Sequence, residues 1–120
     1  MDDIRVYVNI LSDSLRKKLD VLQELFSLTK KQNEILSEKD TEKVDVDGFD
    51  RAFEEKDKLI KKMQELDNGF DSVYKKVGSF LAENKQEYKQ DILQMQNLIR
   101  SITDTLSLIH ISEPTRRRGI

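Results

Sequence analysis

Residues 4–26 read IRVYVNILSDSLRKKLDVLQELF, and the spacing of their apolar side chains decides the fold. Ile4, Val8, Leu11, Leu15, Leu19, Leu22 and Phe26 span 22 residues in six steps, about 3.67 residues per step. A strand would alternate with period two, whereas a helix returns to one side every third or fourth residue. A step of ~3.67 is close to an 11-residue repeat, so the stripe runs almost straight along a rod. Leu25, Ile35 and Leu36 widen the stripe, while Arg16, Lys17, Asp20, Gln23 and Lys30 take the opposite face. The spacing predicts a helix over residues 3–37, roughly 50 Å long at ~1.5 Å per residue. Such a rod cannot bury its stripe against itself, so it needs partner helices.

The partners lie downstream. Glu38–Gly48 loses the pattern and reads as a linker, with Asp47 as the expected N-cap of the next helix and Asp50 in its first turn. Phe49, Phe53, Ile60, Met63, Leu66, Phe70, Val73, Val77 and Leu81 then form a second stripe, with Lys56 in its one gap. Asn68-Gly69 is a turn signal inside this stretch. The three-to-four spacing nevertheless crosses it in phase, so a continuous helix over 48–82 is expected, weakened at Gly69 by about 1 kcal/mol relative to Ala. Glu54/Lys58 and Asp57/Lys61 add i,i+4 pairs worth tenths of a kcal/mol each, on the order of 0.3. The pattern breaks again at Ala82–Lys85. Tyr88, Ile92, Met95, Ile99 and Ile102 follow at steps of 4, 3, 4 and 3, thickened by Leu98, which predicts a third helix over 85–105 with a coiled-coil-like seam. Three long amphipathic helices with short connections imply an all-α, antiparallel up-down-up bundle, the first two forming the main hairpin and the third lying against them in whole or in part.

The C-terminal fifteen residues stand apart. Leu106–Arg116 reads LSLIHISEPTR, which resembles the in-frame translation of a transposon-derived sequencing adapter over eleven consecutive residues. The reading divides the chain into a single helical domain, 1–105, whose natural C-terminus is missing, and a non-native tail, 106–120. The tail holds the sole His (His110), the sole Pro (Pro114) and Arg116, Arg117 and Arg118. Few native-like contacts are expected of residues 106–120; Leu106–Ile111 has the propensity to prolong the third helix, and Pro114 should stop it. Without the tail, Lys+Arg falls from 21 to 18 and Asp+Glu from 23 to 22, so the net charge moves from −2 to −4.

Composition excludes several function classes. Charged residues make up 37 %, with both signs interleaved, so no nucleic-acid surface is expected. There is no Cys, hence no disulfide framework and no thiolate metal site. No apolar run approaches the ~20 residues of a membrane span, and Met1-Asp2-Asp3 is acidic where a signal peptide is basic, so a cytoplasmic protein is expected. Residues 1–105 lack His, Cys and a Gly-rich phosphate loop, and their carboxylates fall on polar helix faces; no catalytic residue and no cofactor is expected. Asp45, Asp47, Gly48 and Glu54 match four positions of a calcium loop starting at Lys43. A lysine stands where the first ligand should be, so helix capping is the better reading and no metal is expected. Interaction chemistry remains. Ile92, Met95, Leu98, Ile99 and Ile102 form the candidate partner-binding stripe, a Met-containing apolar face suited to a partner helix. The same stripe could equally pack inside the bundle.

A Leu-rich first helix, a short acidic break, FDRAFEEKDKLIKKMQELDNGF (49–70) and ILQMQNLIRSITD (92–104) together resemble the FlgN family of flagellar type III export chaperones, over residues 1–105. The resemblance implies a cytoplasmic chaperone that holds hook–filament junction proteins and delivers them to the flagellar export gate. It also implies that the C-terminal part of the chaperone grips the helical C-terminal segment of the client; residues 92–102 match the start of that part. Two alternatives stay open: a FliT-type chaperone of the filament-cap protein, and a structural coiled-coil or adaptor protein with no export role.

Overall fold

In a computed structural model the described residues are 2–113. They form three long helices and no strand: α1 (Asp2–Leu36), α2 (Val46–Glu83) and α3 (Lys89–Ser112), with one 3₁₀ turn at Thr41–Lys43. The rods set the shape, 63 × 22 × 20 Å.

Local chemistry explains each break. At the end of α1 the Ser37 N–H donates to the Asn33 carbonyl and the Ser37 hydroxyl to that of Glu34, closing the last turn. Asp40 caps the 3₁₀ turn by accepting from the Glu42 N–H at 3.1 Å. Asp45, not the expected Asp47, caps α2: its carboxylate accepts from the Gly48 N–H at 2.9 Å, and Asp47 falls in the first turn. The shift follows from Gly48, where a Cβ would collide with the Asp45 carboxylate, so the absent side chain makes room for the cap. The Asp45 and Asp47 carboxylates are thus engaged with a helix start, and no group of three His, Cys, Asp or Glu among the described residues could hold a metal ion.

Helix α2 runs unbroken through Asn68-Gly69, whose surroundings are open. It ends at Asn84, whose side-chain amide donates to the Phe80 carbonyl at 2.8 Å. Residues 84–88 form a turn, so α3 starts at Lys89 rather than at 85. Tyr88, 6 % exposed, anchors that turn edge-on against Phe80 at 5.9 Å. Helix α3 runs on past 105 to Ser112 and stops where Glu113 turns extended, as the residue before a proline prefers. Pro114 and the three arginines lie outside the described residues.

The helices alternate in direction: Arg5 meets Asp91 and Asn33 meets Ser112, so α1 and α3 run parallel, while Lys18–Asp67 and Gln32–Phe49 set α2 antiparallel to α1. Helix α3 lies chiefly against α1; no Cα atoms of α2 and α3 come within 8 Å of each other. Helix α1 is therefore the central member and buries two sides, which is why Val21 and Leu25 are interior along with Val8, Leu11, Leu15 and Leu22.

The N-terminal half of α2 faces α1 through Ala52, Lys56, Leu59 and Met63, leaving Phe53 and Ile60 largely exposed, against the stripe drawn through them. The cause is polar. Lys56 is buried, and its ammonium donates to Gln32 Oε1 at 2.9 Å and to both carboxylate oxygens of Glu113 at 2.9 Å. Gln32 and Thr29, also buried, continue the α1 stripe in polar form. The Gln32 amide donates to the Phe49 carbonyl and the Thr29 hydroxyl to that of Leu25. None of the described buried side-chain polar atoms lacks a partner.

Candidate functional site

Two helices that pack on the same third helix without close backbone approach leave a trough between them. Here the trough opens over the upper half of the bundle, the end that holds the α2–α3 turn, with a volume of about 470 Å³. Its α2 wall is a ladder at four-residue spacing. Phe70 and Tyr74 stack at 5.9 Å with their planes 9° apart, and the Tyr74 ring lies across Gly78. A Cβ on Gly78 would sit 3.0 Å from that ring, so the glycine lets the ring lie flat on the helix. Leu81 completes the wall. The α3 wall is Ile92, Leu93, Met95, Gln96 and Ile99. Lys85 and Lys89 form the rim at the turn.

Lower down, Ser14, Leu15 and Lys18 of α1 supply the floor, beside Asp67 and Asp71 of α2. Lys18 and Asp67 pair at 2.8 Å. Large side chains that face this space stay accessible: Tyr74 is 52 % exposed and Ile99 47 %. A row of accessible apolar side chains with a concave outline is a surface made for another apolar face.

The five candidate partner-binding residues divide between the two sides of α3. Met95 and Ile102 are buried in the core, and Ile92 and Leu98 pack partly buried against it. Ile99 is the most exposed and lines the trough; Ile92 and Met95 border both core and trough, while Leu98 and Ile102 do not line it. The sequence reading missed the α2 wall. Its signal was available in the aromatic pair Phe70 and Tyr74 at i,i+4, with Gly78 a further four residues on.

The upper end of the trough is fixed to α1. Arg5 donates to Asp91 at 2.8 Å and lies 5.3 Å from the centre of the Tyr88 ring. The hydrogen bond and charge of Asp91 push the guanidinium pKa further up, so Arg5 stays protonated throughout. The lower end is fixed by the Lys56–Gln32–Glu113 cluster and by the Asn33 amide donating to the Ser112 carbonyl at 2.7 Å.

The family model described as FlgN protein matches residues 1–113. The chain belongs to the FlgN family. This makes it a chaperone of flagellum biogenesis. The match continues eight residues past Thr105, to the same Glu113 that holds Lys56. Neither a curated protein nor a solved structure matches the chain. No described helix is long and apolar enough to cross a membrane.

Proposed function

We propose that this chain is the export chaperone of a hook–filament junction protein, which it delivers to the flagellar type III export gate. In this reading the client's amphipathic C-terminal helix lies in the trough as a fourth helix, its apolar face against Phe70, Tyr74, Leu81, Ile92 and Ile99. The observation that carries the reading is the lack of close backbone approach between α2 and α3, which leaves Tyr74 and Ile99 accessible on facing walls in a chain of this family. The reaction is binding alone: a client helix that would otherwise expose its stripe finds apolar cover, and no bond is made or broken.

The test is calorimetry with the C-terminal helical peptide of a junction protein. Tyr74→Asp with Ile99→Asp places two charges on opposite walls at exposed positions, so the fold should survive, as circular dichroism can verify. Each charge would lose water on binding without gaining a partner, and affinity should fall at least about tenfold. Met95→Asp is unsuitable, because Met95 is 8 % exposed and the charge would enter the core. Charge reversal at Lys61 and Lys62, on the exposed face, should leave binding unchanged. Undiminished binding by the folded double variant removes the trough as the site. Binding of the filament-cap protein in place of the junction peptide would make the chain FliT-like in role.

A further inference from the structure

The trough is electrically asymmetric. Its upper part has two charged lining residues, Lys85 and Lys89, both at the end beside the α2–α3 turn. Both are exposed, and neither has an ion-pair or hydrogen-bond partner among the described residues. The floor at the other end carries Lys18, Asp67 and Asp71. Lys18 is neutralised by Asp67, which leaves Asp71 as the uncompensated charge there. One end of the channel is thus cationic and the other mildly anionic, with uncharged, mostly apolar walls between.

A helix laid in that channel is itself polar. Its last turn presents unpaired carbonyls and carries partial negative charge, and its first turn presents unpaired N–H groups and carries partial positive charge. Cations favour the C-terminal end and anions the N-terminal end, most strongly where neighbouring apolar surface excludes water. We propose that the trough selects the direction of its client: the C-terminal end of an amphipathic helix, with acidic side chains or the free carboxylate, lies at Lys85 and Lys89, and its N-terminal end lies over Asp71. The client then runs parallel to α2 and antiparallel to both α1 and α3, so the filled bundle holds two helices in each direction. The inference rests on the trough being the client site; the lysines would act as specificity determinants and the apolar walls as the source of affinity.

Two synthetic peptides of about 18 residues, ~27 Å as helix, test the direction without relying on any natural client. Both carry the same Leu and Ala stripe. One has three Glu in its last turn and a free carboxylate; the other has the Glu in its first turn and an amidated C-terminus. The second is the better helix in isolation, because acids favour the N-terminal turn, so intrinsic helicity works against the expected result. Calorimetry on the 120-residue chain at low salt should show the C-terminally acidic peptide binding roughly threefold to tenfold more tightly. In Lys85→Gln with Lys89→Gln, which removes no apolar wall, the preference should vanish, as it should in the parent chain at about 1 M salt. Equal affinity for the two peptides, the reverse order, a preference that survives the double substitution, or no binding of either peptide overturns the proposal. A junction-protein peptide that fails to bind while the synthetic pair behaves as expected sinks the assigned client and leaves the polarity standing.

Discussion

The two ends of this bundle fasten α3 to α1 by opposite means. At the upper end the grip is apolar: Val8 and Leu11 of α1 share one buried cluster with Tyr88 and with Met95 of α3, and the sole ion pair there among the described residues, Arg5–Asp91, is half exposed at the arginine. At the lower end it is polar and closed: Lys56 and Gln32 are buried, and Glu113 reaches in to meet the ammonium. An apolar contact tolerates sliding, because one methyl group serves nearly as well as another. A buried lysine tolerates none, because its charge is costly to desolvate unless every bond is made. The upper end therefore supplies stability and a client surface, and the lower end fixes the register of three helices against one another.

The largest effect should come from the apolar end. Leu11→Ala removes a side chain with 0 % exposure, and urea unfolding should show a loss of about 2–5 kcal/mol. Glu113→Ala strands the buried ammonium with Gln32 as its one described partner. It should cost less, about 1–3 kcal/mol, because the carboxylate is partly solvated already. Lys56→Met nearly keeps the volume but leaves Gln32 Oε1 without its donor, so it should also cost about 1–3 kcal/mol. If Lys56→Met cost as much as Leu11→Ala, the polar end would be a source of net stability and the contrast between the ends would fail.

A smaller effect of opposite sign is expected midway. Gly69 is exposed with open space around it. Gly69→Ala should stabilise the chain by about 0.5–1 kcal/mol through helix propensity and a less flexible unfolded state, without altering client binding. Loss of stability on thermal or urea unfolding would mean that the helix needs the glycine there.

Much of the fold was legible because apolar periodicity is local. The α1 stripe could be drawn from residues 4–26 alone, and phase conservation across Asn68-Gly69 outweighed a strong turn signal. Three matters were not legible. Asp45 and Asp47 are both competent caps, and Gly48 decides between them through a steric detail that spacing does not carry. The inward phase of the first half of α2 turns on Lys56, which the apolar stripe registers only as a gap; its partners come from 24 residues before it and 57 after. The trough walls escaped because a seven-residue stripe says that α3 has one apolar side but not which helix covers it. Met95 and Ile102 turned to α1, and Ile99 was left facing the gap.

The parallel pairing of α1 with α3 has a consequence for the order of assembly. Contacts between α1 and α2 begin 17 residues apart, at Gln32–Phe49, and grow to 49 by Lys18–Asp67, so the hairpin can zip from its turn. Contacts between α1 and α3 offer no such start: Arg5–Asp91 spans 86 residues and Asn33–Ser112 spans 79. Closing so long a loop first costs more chain entropy than closing a short one. Once the hairpin exists, however, the end of α2 stands beside the start of α1, and residues 84–88 are all that separate α3 from its first contact. Helix α3 should therefore dock last and detach first, with native-state amide exchange showing its protection below that of α1 and α2; equal protection in all three helices would contradict this order. The wall that detaches first is also one wall of the trough, so the chain can open the space for a client helix while its hairpin stays folded.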